Sequence, residues 1–313
     1  MTKPSWRPYI VLGVGLLAVS SASIMIRFAQ QEQSPPLVIS AWRVGLAALV
    51  LTPIVLTSYR AQLAKLSRSD FALAMLAGLF LGAHFASWVT SLEYTSVINS
   101  VVLVTTNPLW VALAAPFVLR EKLSRTTLIA VFLAIAGGIV VSIAGGPGTA
   151  PHQNSPLLGD VLAIIGAIAV SGYFLIGRQV RGRVSLIPYV WLTYGSAAIV
   201  LSIAVLLTGQ QVGGLSNTAY LWMTLLALVP QLIGHSAYNY ALGYLSAAYV
   251  ALTVLGEIVG SAILAALFLN EQPVAWQLVG GVLIMLALIL ASREEAKATR
   301  ELQKTAVESA VTL

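Results

Sequence analysis

The chain has 313 residues, of which 58% are hydrophobic and only 9% charged, and its mean hydropathy is +0.89. A soluble surface normally carries about a quarter charged residues, so a water-soluble globule is excluded and a place in the lipid bilayer is expected. The net charge of +6 does not point to nucleic acid, because Lys and Arg fall between apolar runs rather than on one face, and the absence of Cys excludes disulfides and thiolate metal sites.

A spanning helix needs about 20 apolar residues. Ten runs qualify: Tyr9 to Ile26, Leu37 to Thr57, Phe71 to Ser91, Ser96 to Leu119, Thr127 to Ala144, Leu157 to Gly177, Ile187 to Thr208, Tyr220 to Leu242, Ala248 to Leu269 and Val274 to Ala291. Lys3 and Arg7 precede the first run, and Ala18-Val19-Ser20 loosely resembles a signal-peptide cleavage site. Removing this run would delete the partner of a later helix, so it is read as structure. The segment Gly145 to Pro156 (GGPGTAPHQNSP) reads as a connector, with Ser155 as N-cap and Pro156 as first residue of the sixth helix. Asp160 is expected in that helix's first turn, as a structural partner of the helix dipole. The polar tail from Ser292 is expected to be a short helix or disordered.

With the N-terminus in the cytoplasm, Lys3, Arg7, Arg60, Lys65, Arg68, Arg120, Lys122, Arg125, Arg178, Arg181, Arg183, Arg293, Lys297, Arg300 and Lys304 all fall inside. Of the 17 basic residues, that leaves Arg27 outside and Arg43 within the membrane. An error of one span would destroy this asymmetry. Both termini are therefore placed in the cytoplasm.

The 28 residues from Tyr94 to Glu121 return 150 positions later as Tyr244 to Glu271, with matches at Tyr94/Tyr244, Ser96/Ser246, Val104/Val254, Ala112/Ala262, Ala115/Ala265, Leu119/Leu269 and Glu121/Glu271. The first run also has an echo, at an offset of 151: Gly15, Ala18, Val19, Ser20 and Arg27 recur as Gly166, Ala169, Val170, Ser171 and Arg178. The expected fold is thus an all-α integral membrane protein of ten transmembrane helices arranged as two five-helix repeats, residues 1–146 and 157–291. An extracytoplasmic connector (147–156) joins them and a cytoplasmic tail (292–313) follows. Five is odd, so the second repeat enters from the opposite side. This inverted topology is one that secondary transporters use to build two gates around a midplane site.

Ionisable groups within the hydrocarbon cost about 2.5 to 3.5 kcal/mol each on insertion scales and mark functional sites. Arg43, His84, His235 and Glu257 are such groups. At helical spacing, His84 and Trp88 share a face with Phe80, while Gln231, His235 and Asn239 form a second stripe beside Tyr238. These stripes line a cavity or act as interhelical glue. Glu257 is protonated, pairs internally with Arg43, or meets a cationic part of a substrate; in the last case Arg43 and Glu257 would hold the two ends of a zwitterion. Asn107 aligns with Glu257 and precedes Pro108, which can kink the fourth helix at the same depth. Gly78-x-x-x-Gly82 and Gly256-x-x-x-Gly260 are read as packing motifs. No phosphate-binding GKS or GKT loop, H-E-x-x-H zinc motif or G-x-S-x-G elbow occurs, and no cofactor is expected.

The arginine of ISAWRVGLAALVL (Arg43), NPLW at Asn107 to Trp110 followed by REKLS, GDVLAIIGAIAVSGYFLIGR from Gly159, and LGE followed by NEQP together resemble the drug/metabolite transporter superfamily, in its EamA-type group of ten-helix carriers. The resemblance covers residues 9 to 291. It implies a basket in which helices three, four, eight and nine line a central cavity and five and ten lie at the edge. Related proteins export amino acids, aromatic ones included, and other small metabolites. The family commonly has Glu-Pro in helix nine, whereas Ile258 follows Glu257 here, so that helix is expected to be straighter than helix four.

The resulting expectation is an inner (plasma) membrane exporter of amino acids or similar small metabolites, with Arg43, His84, Trp88, Asn107, Gln231, His235, Tyr238, Asn239 and Glu257 around the substrate. Trp88 and Tyr238 would contact its apolar part, and proton coupling through a histidine or Glu257, and a homodimer, are both compatible with it. The rivals are a non-transporting scaffold and an intramembrane enzyme. The enzyme needs a histidine within hydrogen-bond reach of Glu257, whereas the inferred depths put His84 and His235 about two turns or more from it.

Overall fold

The computed structural model describes residues 6–120, 124–144, 155–270 and 275–311, and among these no strand occurs. Helices α1 (Arg7–Ser20) and α2 (Ala22–Gln31) form the first rod, followed by α3 (Pro36–Ser58), the short α4 (Arg60–Ala64) and α5 (Arg68–Tyr94). Next come α6 (Val97–Val104), α7 (Asn107–Val118) and α8 (Arg125–Ala144), then α9 (Pro156–Arg181) and α10 (Leu186–Thr208). A composite rod runs from α11 (Asn217–Leu226) through a π-helical stretch (Ala227–His235) to α12 (Ser236–Leu242), and α13 (Ala247–Val254), α14 (Gly256–Leu269) and α15 (Ala275–Val311) complete the described chain.

Among the described residues, seven rods are long and apolar enough to cross a membrane: Arg7–Gln31, Pro36–Ser58, Arg68–Tyr94, Val97–Val118, Pro156–Arg181, Leu186–Thr208 and Ala247–Leu269. The other three predicted runs fall on α8, whose Arg125–Val140 part is a shorter apolar helix, on the composite rod, and on the start of α15. The central packing is α5 on α9, α3 on α10 and α1 on the π stretch, while α8 and α15 pack on each other.

Several local expectations change. The first rod bends at Ser21, where Ser20 and Ser21 turn their hydroxyls back onto the carbonyls of Leu16 (2.8 Å) and Ala18 (2.7 Å), a bond that bends helices. The rod then continues to Gln31, so Arg27 falls within it rather than in a loop: it is fully buried and donates Nη2 to the Thr95 carbonyl at 3.2 Å. Ser155 holds the N-cap position of α9 with Pro156 after it, but its side chain makes no capping bond, and Asp160 lies beyond the first turn. The tail is helical as far as Val311, in direct continuation of α15. Gly145 to Asn154, Glu121 to Leu123 and Glu271 to Val274 lie outside the described residues.

The sequence echo is also an echo of backbone devices. Ser96 and Ser246 are both N-caps, accepting from Asn99 N and Tyr249 N at 3.2 Å each. Arg120 and Asn270, again 150 apart, both adopt the left-handed conformation at φ 57° that closes a helix C-terminus. Interruptions fall at Thr105-Thr106 and at Leu255. The second is the shorter, as expected without a proline, and Leu255 keeps a helical φ of −58°. Gln30 Nε2 donates to Val89 O (2.9 Å), and Arg181 Nε, 151 positions on, donates to Asn239 O (3.0 Å). Finally, Glu32 and Arg183, also 151 apart, each reach the start of a helix in the other half. Glu32 Oε2 accepts from the N-cap Ser216 at 2.6 Å, and Arg183 Nη2 donates to Asp70 Oδ1 at 2.7 Å.

Candidate functional site

Where α1, α5, α9, α12 and the two interrupted rods meet, a cavity is lined by Val19, His84, Trp88, Val104, Thr105, Asn107, Val170, Phe174, His235, Tyr238, Val254 and Glu257. Four pairs of these are related by the sequence echo: Val19/Val170 at 151, and Trp88/Tyr238, Val104/Val254 and Asn107/Glu257 at 150. The cavity therefore sits where the two repeats meet. It gathers six of the nine predicted residues. It leaves only about 20 Å³ for the centre of a water molecule, scarcely above the minimum of about 10–15 Å³ for holding one.

Its polar groups are buried and largely unpaired. Asn107 is fully buried, and neither side-chain atom has a hydrogen-bond partner; the same holds for Trp88 Nε1, His235 Nδ1, Tyr238 Oη and Glu257 Oε1. The interruption that precedes Asn107 places it on the first turn of α7, where Pro108 follows without an N–H to lose. Of the two histidines, His84 is held: its Nδ1 bonds the Gly166 carbonyl at 2.9 Å, and its ring stacks on Trp88 at 5.6 Å between centroids. Phe80, predicted on the same face, packs over Gly172 of α9 instead.

The predicted stripe of Gln231, His235 and Asn239 is split three ways. Pro230 cannot donate a backbone hydrogen bond and crowds the carbonyl four residues before it. The rod widens there into the π stretch, and a spacing of four no longer returns to one face. His235 faces the cavity. Gln231 Oε1 accepts from Arg43 Nε at 3.0 Å, and Asn239 Nδ2 donates to the Tyr173 hydroxyl and to the His235 carbonyl at 2.7 Å. Tyr194 steadies the widened turn, donating to the Gln231 carbonyl at 3.3 Å and bonding Ser236 Oγ at 3.1 Å.

Arg43 is fully buried on α3 but is not among the lining residues, and it forms no ion pair with Glu257. Its guanidinium carbon lies 4.0 Å from the centroid of Phe85, and Nη1 and Nη2 have no partner. The internal pair anticipated from sequence is thus not made. His84, His235 and Glu257 line one cavity, and neither histidine hydrogen-bonds the carboxylate. Among the described residues no group of three or more His, Cys, Asp or Glu is placed to hold a metal.

Sequence reasoning missed Val19, Val104, Thr105, Val170, Phe174 and Val254 of the lining, and Phe85 against Arg43. Val19/Val170 and Val104/Val254 were visible as echoed pairs; the aromatic residues carry no signal in so apolar a chain.

Comparison with known proteins settles the family. The model of the EamA-like transporter family matches twice, at residues 7–143 and 157–293. The chain belongs to the EamA-like transporter family. It is thereby a member of the drug/metabolite transporter superfamily, and the double match makes it a duplicated EamA repeat. This EamA-like chain is 24% identical to the uncharacterized transporter YyaM of Bacillus subtilis (strain 168), over 81% of its own length and 83% of the relative's. It is also 24% identical to an uncharacterized transporter of Archaeoglobus fulgidus, over 92% and 98% of the two chains. It resembles the riboflavin transporter of Brucella anthropi at 24% identity, over 50% of its own length and 54% of that protein. A protein of known crystal structure superimposes with a TM-score of 0.74 over 93% of this chain and 98% of the other, at 16% identity, which speaks to the fold alone. Membership in a transporter family and the apolar rods make this a multi-pass membrane protein that handles a small molecule.

Proposed function

We propose that this chain is a secondary transporter that moves amino acids or related zwitterionic metabolites out of the cell. It would work by alternating access between two inverted five-helix repeats, residues 1–146 and 157–291, linked by 147–156 and followed by a cytoplasmic tail at 292–313. Ten membrane crossings, with both termini in the cytoplasm of an inner (plasma) membrane protein, complete the reading. The positive-inside asymmetry supports it.

The observation that carries the proposal is the convergence of unpaired polar atoms from Trp88, Asn107, His235, Tyr238 and Glu257 on one cavity. Each buried polar group left unsatisfied costs about 1–3 kcal/mol. A scaffold would pair such groups across helices, at about 0.6 kcal/mol per bond, and keep none of them facing space. An enzyme would need a base bonded to its nucleophile or acid, and no such bond joins a histidine to Glu257. A carrier keeps unpaired groups for the solute that visits them.

The tight cavity fits a closed state between loadings, with Glu32–Ser216 and Arg183–Asp70 as latches on the two faces. Glu257 would take the ammonium end of the solute, Arg43 its carboxylate, and Trp88 and Tyr238 its apolar part, with Asn107 bonding alongside. Gln231 and Asn239 support Arg43 and the backbone of the composite rod. The aromatic walls also suit a flat ring system, so the riboflavin carried by one relative belongs among the compounds tested.

Counterflow into proteoliposomes, with labelled amino acids and riboflavin, tests the reading. Exchange of at least one amino acid is expected, with loss of more than tenfold in Glu257→Gln. Exchange of riboflavin alone would remove the zwitterion class. Unchanged flux of every solute in the variant would remove Glu257 from the mechanism.

A further inference from the structure

The two charges assigned to the ends of a zwitterion are not in one space. Arg43 does not line the cavity that holds Glu257, and the ring it meets is Phe85, a fully buried residue on α5 next to His84. One side of this ring carries the Arg43 guanidinium, 4.0 Å from its centroid. The rest of the ring packs against the histidines of the cavity wall, edge-on to His235 at 5.2 Å and tilted to His84 at 4.9 Å. On the cavity side, Glu257 Oε1 stands unpaired among Trp88, Phe174 and Tyr238. A carboxylate walled by aromatic rings is the chemistry that holds an organic ammonium ion, through charge and cation–π attraction. On the far side, Arg43 Nη1 and Nη2 are buried without a partner. That is the donor fork a carboxylate would take in a bidentate pair.

We propose that Phe85 partitions the site into an ammonium chamber at Glu257 and a carboxylate contact at Arg43, and so sets the preference between amines and amino acids. This rests on the transport reading above and adds a residue to it. An amine that lacks a carboxylate fills the chamber with the ring in place. An amino acid completes its contacts only when the ring swings off the guanidinium, exchanging the cation–π contact for a charge-assisted pair. Phe85 is therefore a specificity-determining residue rather than core filler. The bland alternative, that the ring merely fills volume under Arg43, predicts a loss of stability on truncation with no change of selectivity.

The test uses the full-length chain in proteoliposomes and a matched pair of probes, phenylalanine and phenethylamine, each titrated as a competitor of counterflow and by calorimetry. Wild type is expected to bind both. Phe85→Leu should shift the ratio of their affinities about tenfold towards phenylalanine, because the guanidinium is then open to the chamber. Phe85→Met keeps the volume without a ring face and should shift the ratio the same way, so it carries the test if the leucine variant does not fold. A ratio within about twofold of wild type in the folded variants, or a wild type that binds phenylalanine and not phenethylamine, overturns the partition while leaving the carrier intact. If the wild type exchanges another solute but binds neither probe, this inference fails, and the zwitterion class fails with it only when that solute is not an amino acid. If it exchanges nothing, the transport reading itself has failed.

Discussion

The motif Gly78-x-x-x-Gly82 on α5 contains two glycines that the sequence treats alike and the structure does not. A Cβ on Gly78 would lie 2.5 Å from Ser196 Cβ, 2.5 Å from the Thr193 carbonyl oxygen and 2.8 Å from Ser196 Oγ, all on α10. Carbon atoms rest about 3.5–4.0 Å apart, so α5 and α10 would have to separate by about 1 Å. That movement strains two bonds at the same crossing, Ser196 Oγ to the Met75 carbonyl (2.9 Å) and Thr193 Oγ1 to the Ala74 carbonyl (3.4 Å). Overpacking costs about 1–3 kcal/mol and each interhelical bond about 0.6 kcal/mol, against about 1 kcal/mol gained from replacing a helical glycine by alanine. Gly78→Ala should therefore destabilise by about 1–3 kcal/mol. At Gly82 the nearest atoms are Ala197 Cα and O at 3.6 Å and Val200 Cβ at 3.7 Å. This is ordinary contact, so Gly82→Ala should keep most of the propensity gain. At about 2–4 °C per kcal/mol for a chain of this order of size, thermal unfolding in detergent, followed by tryptophan fluorescence, should place Gly78→Ala several degrees below wild type and Gly82→Ala at or above it. The displaced α5 carries His84 away from the Gly166 carbonyl, so counterflow should fall in the first variant only. Equal melting temperatures, or the reverse order, would refute the claim that α5 is set against α10 through Gly78.

Because the chain has no cysteine, a single Thr105→Cys in the cavity gives a clean labelling site. Arg183→Gln should increase its reaction with an impermeant thiol reagent from the cytoplasmic face, and Glu32→Gln from the outer face; equal increases from both faces would remove the latches. An exposed ion pair such as Arg183–Asp70 contributes about 0–1 kcal/mol and a net hydrogen bond such as Ser216–Glu32 about 1 kcal/mol, so the rise should be no more than about fivefold for either. Pro230→Ala restores a backbone donor and lets the π stretch tighten into α-helix, so solute affinity should fall at least fivefold without loss of thermal stability; unchanged affinity would show that the widened turn does not position Gln231 and His235. Ser96→Ala and Ser246→Ala each remove an N-cap worth about 1 kcal/mol. The second should cost more in thermal unfolding, because Ser246 also donates its backbone N and Oγ to Glu295, at 2.8 and 2.7 Å.

The positions of the rods were legible in the sequence because hydropathy reports burial of either kind, in lipid or in protein. For the same reason it could not say where a rod bends or what its polar residues face. The bend at Ser21 depends on hydroxyls turned onto carbonyls, and the burial of Arg27 on a rod that continues to Gln31. Burial cost singled out Glu257, the echo singled out Asn107, and helical spacing grouped His84 with Trp88 and His235 with Tyr238; the structure gathers these six around one cavity. The same rule failed for Gln231 and Asn239, since a period of 3.6 presumes an α-helix and Pro230 makes that stretch something wider. Arg43 was recognised as costly to bury, but charge alone suggested Glu257 as its partner. The ring that Arg43 meets instead is one phenylalanine among eight in an apolar chain.

What the two repeats share and what they do not divides along functional lines. The devices that recur at 150 or 151 are structural: the caps at Ser96 and Ser246, the left-handed closures at Arg120 and Asn270, and the side-chain ties from Gln30 to Val89 and from Arg181 to Asn239. In the cavity the lining is shared at Val19/Val170 and Val104/Val254 and differs at its polar groups, where Asn107 answers Glu257, Trp88 answers Tyr238, and His84 answers Gly234. Gly234 lies so close to α1 that a Cβ there would sit 2.4 Å from Val19. A repeated scaffold with identical lining would present the same groups twice, and so would suit a solute whose two ends are alike. A solute with an ammonium at one end and a carboxylate at the other needs the lining to differ between repeats while the frame around it stays the same. Recurring backbone devices around a lining whose polar groups differ between the halves are the arrangement that the proposed carriage of unsymmetrical molecules calls for.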